Sequence, residues 1–199
     1  MSLPQFLIVT PSYNQAQFIE QTIQTVLNQE DVHVHYQVMD GGSTDGTGDI
    51  LKKYDKQLSF VSKKDNGQAD AINHGIQRLL TTSPDLDPNT TFITYLNSDD
   101  YYLPGALAKV ADCFKKNSAA SWVVGDCMIV DEHGRTIQSF VQLYKRFWRC
   151  IYFPLILKLL NPIPQPAVFI RLSAFMQSGE FDTDLRYTMD YDYWLRLQE

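Results

Sequence analysis

At 199 residues the chain fits one domain of ordinary size. Its 44% hydrophobic and 20% charged residues describe a packed core and not a disordered polymer. A net charge of −6, with no basic run longer than Lys63-Lys64 or Lys115-Lys116, excludes a nucleic-acid groove and demands a countercharge wherever a diphosphate is to be held. The three cysteines, Cys113, Cys127 and Cys150, are odd in number and form no CxxC pair. They exclude a disulfide framework or zinc knuckle and point to a reducing, cytoplasmic compartment.

Phe6-Leu7-Ile8-Val9 is a continuous apolar run that reads as a buried strand ended by Pro11. Ile19, Ile23, Val26 and Leu27 recur at helical spacing after a Ser12-Tyr13-Asn14 turn. A second strand is expected from Val34 to Met39, with His33 and His35 on one face, and it ends at Asp40-Gly41-Gly42-Ser43. A short helix carrying Ile50, Leu51 and Tyr54 follows, then a third strand over 58–61 and the polar loop Lys63-Lys64-Asp65-Asn66-Gly67. Ala71, Ile72, Ile76, Leu79 and Leu80 mark another helix, and Phe92-Ile93-Thr94-Tyr95-Leu96 a fourth strand running straight into Asn97-Ser98-Asp99-Asp100. Strand–helix–strand alternation of this kind implies a parallel sheet with right-handed crossovers, an α/β nucleotide-binding layer over residues 1–104.

The pattern changes over 105–199. Leu107, Val110 and Phe114 mark a helix started by Pro104, and Trp122-Val123-Val124 a strand. Met128 to Val130 and Ile137 to Val141 read as strands joined by the Asp131–Gly134 turn into a hairpin. From Tyr144 to Leu160, Lys145, Arg146 and Arg149 are interleaved with Phe147, Trp148, Tyr152, Phe153, Leu155, Ile156, Leu157 and Leu159. The segment is too short and too charged to span a bilayer. It is either a helical lid packed on the domain or an interfacial segment resting on lipid. The last residues, Arg196 to Glu199, lie inside an expected helix, as if a longer protein continued beyond them.

Carboxylates recur at strand exits: Asp40, Asp65, Asp99 and Asp100. In open α/β sheets ligands bind at the carboxyl ends of strands, and hard carboxylate oxygens there suit Mg²⁺ or Mn²⁺ shared with substrate phosphates. The plain alternative for Asn97-Ser98-Asp99-Asp100 is a solvated turn opening the next helix. The absence of GxGxxG after the first strand argues against a dinucleotide cofactor.

Six segments in order resemble the motifs of the family 2 glycosyltransferases: Thr10-Pro11-Ser12-Tyr13-Asn14; Asp40 to Thr47; Asp65-Asn66-Gly67 with Ala71 to Gly75; Asn97-Ser98-Asp99-Asp100 with Pro104; Gln165 to Phe169; and Met189 to Leu197. The resemblance implies a GT-A fold, a single catalytic domain over 1–199 with a donor half (1–104) and an acceptor half (105–199), and transfer of a sugar from a nucleotide donor with inversion. By the same resemblance Pro11, Ser12 and Tyr13 line the nucleobase pocket, and Asp40 accepts a hydrogen bond from the base, most often uracil. Lys64, Asp65 and Gly67 lie near the ribose and diphosphate. Asp99 is the metal ligand, and Asp190 is the general base that activates the acceptor hydroxyl.

Two residues depart from the pattern. Asn97 stands where the metal element has its first Asp, so Asp100 is a possible second ligand, while Asn97 and Ser98 remain on the donor side. Gly41 stands where a second Asp is common. The implied partners are a nucleotide sugar and a glycan or lipid-linked acceptor at the inner face of a membrane; the oligomeric state is not readable. Asp190 and Asp192 also suit capping of the last helix, and Tyr13, Gly67 and Gly75 suit packing and turns. Two rival functions stand beside the transferase: a non-catalytic module of the same fold, and a metal-dependent nucleotidyltransferase.

Overall fold

Six strands form one mixed sheet in a computed structural model that describes residues 3–131, 134–150 and 157–198. The strands are β1 (Gln5–Ser12), β2 (His33–Asp40), β3 (Ser59–Ser62), β4 (Thr91–Tyr95), β5 (Trp122–Val124) and a last strand, Val168–Arg171, labelled β8 because a two-stranded hairpin precedes it. Their spatial order is β3-β2-β1-β4-β8-β5. The first four run parallel, whereas β8 lies antiparallel to both β4 and β5. The helices between the parallel strands are α1 (Ile19–Leu27), α2 (Thr47–Lys52) and α3 (Gln68–Thr82), and α4 (Ala106–Lys116) follows β4.

Alternation along the strands divides the core in two. Phe6, Ile8, Tyr36, Val38 and Phe92 pack with Ile19, Ile23 and Val26 of α1 and with Leu107, Val110 and Phe114 of α4. Leu7, Val9, Met39, Ile93 and Tyr95 pack on the other face with Ile72, Ile76 and Leu79 of α3 and with the C-terminal helices α6 (Leu172–Ser178) and α7 (Met189–Arg196). Helix α3 comes very close to the sheet at Gly75. A Cβ there would stand 2.6 Å from Val9 Cγ1 and 3.1 Å from Met39 Cγ, which makes this a packing glycine. His33 and His35 do share a face, with ring centroids 4.6 Å apart.

Pro11 does not end the first strand. β1 continues to Ser12, paired with β2 throughout. The carbonyl of Val9 accepts from Leu96 N, so Val9 and Pro11 face the β4 side, where pairing stops at Val9. The missing N–H of Pro11 therefore falls beyond its neighbour and costs no ladder bond.

The expected hairpin is present as β6 (Ile129–Val130) and β7 (Thr136–Ile137), although Glu132 and His133 of its turn lie outside the described residues. The expected strand from Ile137 to Val141 is overturned: pairing ends at Ile137, Gln138 takes a positive φ of 52°, and α5 (Ser139–Cys150) begins. Phe140, Leu143, Tyr144, Phe147 and Trp148 recur at steps of three and four, whereas only Ile137 and Val141 fit a two-residue alternation, and the helical period wins. The helix carries the interleaved basic and aromatic residues; residues 151–156 of the same segment lie outside the described residues. Strand β8, not expected from the sequence, inserts between β4 and β5, and Thr94 Oγ1 bonds the Val168 carbonyl at 2.9 Å.

Substituting Gly75→Ala should lower stability by about 1–3 kcal/mol, the usual cost of overpacking, because Val9 and Met39 lie in the central strands. Thermal unfolding of the variant beside Gly48→Ala, where a Cβ meets nothing within 4 Å, checks it.

Candidate active site at the carboxyl edge of the sheet

The parallel register aligns Ser12 of β1 with Asp40 of β2, and Asp40 with Ser62 of β3, all three on one face at the strand ends. Asp40 is only 2% exposed, and a carboxylate so buried needs partners. It has them in Ser43 N at 3.1 Å, Ser62 Oγ at 2.5 Å and the Ser43 hydroxyl on Oδ1. Ser12 Oγ beside it is buried without a hydrogen-bond partner. Tyr13 follows Ser12 and is 63% exposed, with its ring edge beside Gly41. Gly41 explains its own departure from the family pattern: a Cβ there would lie 3.0 Å from Asp65 Oδ2 and 3.4 Å from Tyr13 Cδ2. A side chain at 41 would displace the Asp65 carboxylate from the end of β2.

The surrounding loops are laced by their own polar side chains. Asn14, at φ 53°, accepts Thr44 N at 3.0 Å and donates its own N–H to Ser43 Oγ at 2.7 Å. Asp45 accepts Ala16 N at 2.9 Å and Thr47 Oγ1 at 2.6 Å, and these bonds, Ala16 first, hold its carboxyl below the usual range. Lys64 is exposed at the rim. Asp65 Oδ1 accepts Gly67 N at 3.0 Å, and Gly67, at φ 118°, opens α3 without a side-chain cap. The first-turn amides of a helix that starts this way suit an anion.

At the exit of β4 the four polar residues have separate fates. Asn97 Oδ1 accepts Gln68 Nε2 at 2.6 Å and its Nδ2 donates to Gln165 Oε1 at 3.0 Å, so its amide is turned to protein partners on both sides. Ser98 is buried, and its carbonyl accepts Thr22 Oγ1 at 2.9 Å. Asp99 is exposed. Asp100 is mostly buried beside it; desolvation first, and the Asp99 charge second, push its carboxyl up to about 6, against a hydrogen bond from Asn97.

Helix α1 holds this loop from below. Thr22 Oγ1 also reaches the Asp100 carbonyl at 2.7 Å, Thr25 Oγ1 accepts Tyr102 N, and Gln29 binds Leu103 O and Leu107 N. These three residues were missed by sequence reasoning. Their signal is polar residues at helical spacing on the side of α1 that also carries Ile23 and Val26.

Asp190 lies in the first turn of α7, part-buried, with Oδ1 accepting Tyr191 N at 2.7 Å. Asp192 does not cap that helix, whose N-cap is Thr188; its carboxylate pairs with Arg196 Nε at 2.9 Å. The segment leading to α7 is clamped by Asn73 of α3, which donates to Phe181 O at 2.8 Å and accepts Phe181 N at 3.0 Å. The Tyr95 hydroxyl, also missed, senses both ends of the site. Burial first, then the charges of Asp190 and Asp100, drive its pKa well above 10. Two carboxylates ninety positions apart in sequence thus act on one hydroxyl.

Among the described residues no group of three or more His, Cys, Asp or Glu is placed to hold a metal. Asp99 and Asp100 nevertheless fit a hard divalent cation. They are adjacent carboxylates, one of them desolvated, and the charge they lack is what such an ion supplies when water and phosphate oxygens complete its shell. Asn97 does not join them.

Residues 7–173 match the profile of a family described as Glycosyl transferase family 2. The chain is 25% identical over 199 residues to an uncharacterized glycosyltransferase of Rickettsia typhi, covering 98% of this chain and 58% of that one. It is 30% identical over 142 residues to a putative teichuronic acid biosynthesis glycosyltransferase, TuaG, of Bacillus subtilis, covering 69% and 52%. It therefore spans little more than half the length of these relatives. Among solved structures, Staphylococcus aureus TarS 1–349 in complex with UDP-GlcNAc superposes with a TM-score of 0.67 at 17% identity, covering 97% of this chain and 53% of that one. A mannosyltransferase from Pyrobaculum calidifontis, solved with GDP-Man and Mn²⁺, gives 0.67 at 15%, covering 98% and 52%. These likenesses establish the GT-A fold.

The raised carboxyl of Asp100 makes the metal-free protein pH-sensitive in a stated direction. Between its ordinary 3.8 and about 6 the folded state holds the proton that the unfolded state releases, so stability falls as pH rises through that window. With a chelator present, Asp100→Asn should be more stable than wild type at pH 8, by on the order of 1–3 kcal/mol, and should lose that advantage at pH 4. Urea melts at the two pH values check it.

Proposed function

The chain belongs to glycosyl transferase family 2, and from that premise we propose that residues 1–199 form one catalytic domain that moves a sugar from a UDP-sugar to an acceptor hydroxyl with inversion. The observation that carries the proposal is the row Ser12–Asp40–Ser62 at the strand ends, with the exposed Tyr13 beside Gly41. Asp40 Oδ1 accepts one bond, and Oδ2 two, which leaves Oδ1 a lone pair for an N–H such as the uracil imide. The unpartnered Ser12 hydroxyl beside it and the exposed Tyr13 ring supply a further polar contact and a stacking surface. TarS, solved with UDP-GlcNAc, supports uridine as the base.

In this reading Pro11 shapes the base pocket, while Lys64, Asp65 and the Gly67 start of α3 face the ribose and diphosphate. Asp99 and Asp100 would hold Mn²⁺ or Mg²⁺, which supplies Lewis-acid stabilisation of the departing diphosphate. Asp190 takes the proton of the acceptor hydroxyl as that oxygen attacks the anomeric carbon from the face opposite the diphosphate. The C–O bond to the diphosphate breaks as the new one forms, and the configuration inverts. A positioned carboxylate in this role is worth typically ~10²–10⁴-fold.

Residues 1–104 thus serve the donor and 105–199 the acceptor. In this reading the acceptor is a glycan or lipid-linked saccharide of surface-polysaccharide assembly; the similarity to TuaG, a putative teichuronic acid biosynthesis glycosyltransferase, supports the polysaccharide context. Helix α5 supports a place at the inner face of the membrane. Phe140, Leu143 and Phe147 share one side of it at 80%, 65% and 57% exposure, Arg146 is exposed, and the helix contains no acidic residue. No helix among the described residues is long and apolar enough to cross a membrane.

In thermal-shift and calorimetric titrations, UDP should bind wild type more tightly with Mn²⁺ than without, and more tightly than GDP or dTDP. Asp99→Asn should lose the Mn²⁺-dependent part. Asp190→Asn should keep it while transfer falls ~10²–10⁴-fold. Binding without turnover in the presence of acceptor would favour the non-catalytic reading, and equal UDP affinity of wild type and Asp99→Asn in Mn²⁺ would sink the metal assignment.

For α5, wild type should co-sediment with phosphatidylglycerol vesicles at low salt, and Phe140→Ser/Phe147→Ser should stay in the supernatant. Equal sedimentation of the two proteins would remove the membrane from the proposal.

A further inference from the structure

Asn97 is the position at which this chain abandons the charge of its family's metal element, and its surroundings assign it a different task. Tyr95 O is a carbonyl and can only accept, so Gln165 must turn Nε2 toward it, at 3.0 Å. That leaves Gln165 Oε1 facing Asn97, which must present Nδ2, at 3.0 Å. Asn97 Oδ1 is then committed to Gln68 Nε2, at 2.6 Å. The backbone carbonyl at one end sets the direction of every amide in the row. The row joins the first residue of α3, on the donor side, to the first residue of the 3-10 turn Gln165–Ala167, on the acceptor side, across the strand exit that leads to Asp99 and Asp100. The Asn97 side chain also favours the charged form of the neighbouring Asp100 carboxyl.

We propose that Asn97 is a neutral positioning residue, which with Gln68 and Gln165 forms a crosspiece that sets the spacing between the donor and acceptor halves of the site. An aspartate at 97 has no proton to give to Gln165 Oε1, and it would set a like charge beside Asp100. Asn97 is therefore not an aspartate weakened as a ligand but the residue that this amide row requires. The inference rests on the reading of Asp99 and Asp100 as the cation site only for its metal arm.

Two measurements test it, and the first needs no metal. In a double-mutant cycle on the melting temperature, Asn97→Ala and Gln165→Ala should each lower Tm, and the double variant should fall little further than the lower of the two. Additive losses would overturn the crosspiece. In the second, Asn97→Asp restores the family's carboxylate. Its affinity for Mn²⁺ in the presence of UDP, read from the free-ion EPR signal, should be no tighter than wild type. Turnover should drop on the order of tenfold, with donor KM little changed, as expected for misplaced reacting groups. Tighter Mn²⁺ binding with turnover kept or raised would show a plain ligand position and overturn the proposal. If wild type shows no Mn²⁺-dependent UDP binding, the cation reading fails, and the Tm cycle still decides the crosspiece.

Discussion

The parallel pairing of β1 with β2 on one side and β4 on the other is the constraint from which the site follows. Parallel strands all end on the same edge, so their exit loops meet although they are far apart in sequence. Register matters as much as direction. Asp40 shares a face with Tyr36 and Val38, and a slip of one residue would turn it toward α3 and bring Met39 to the pocket. Gly75 guards against that slip. Only a residue without a Cβ lets α3 sit on Val9 and Met39 together, and those two side chains belong to neighbouring strands.

Two carboxyl groups withdrawn from solvent sit at this edge, the buried Asp40 and the half-buried Asp100, and they are treated differently. Asp40 is fully supplied with donors by Ser43 and Ser62, so its burial is compensated within the protein. Asp100 has one hydrogen bond, from Asn97, and an acidic neighbour, and its carboxyl is raised. A group left undercompensated in an otherwise satisfied surrounding marks where a ligand contributes what the chain does not. The loop that carries it is nonetheless tied by hydrogen bonds to Thr22 and Thr25 of α1 and to Gln29 just beyond its end. On the proposed reading the undercompensated charge and the tied backbone belong together, since a carboxylate that is to receive a cation keeps its place only if its carbonyls are tied elsewhere.

The parallel half of the fold was legible because its strands are buried on both faces and appear as unbroken apolar runs ended by polar loops. β8 was not, because Val168–Arg171 is four residues long and its place between β4 and β5 depends on a long-range antiparallel pairing that no local pattern encodes. The stretch after Ile137 differs for a related reason: five residues, Ile137 to Val141, are too few to separate the two periods, and the helical steps emerge only when Leu143, Tyr144, Phe147 and Trp148 are counted with them. At the site, residue types were legible and roles were not. Asp40, Asp99, Asp100 and Asp190 all reach the carboxyl edge or its neighbourhood, while Asn97 turns inward and Ser98 is buried. Tyr95 escaped notice because an apolar run conceals which alternate side chain surfaces at its end.

Charge balance gives the neutral residue at 97 a further reason. The chain carries −6 overall, and Asp65, Asp99, Asp100 and Asp190 all lie at or near the edge that would receive a diphosphate. On the proposed reading one divalent cation cancels the charge of Asp99 and Asp100 and nothing more. On the same reading Lys64 and the uncapped start of α3 would balance the diphosphate from the donor side. A further carboxylate at 97 would add negative charge against Gln68, at the start of α3, and repel the phosphates. An uncharged amide keeps the hydrogen bonds that span the site and adds no repulsion, so the departure from the family pattern and the acidity of the chain have one electrostatic origin.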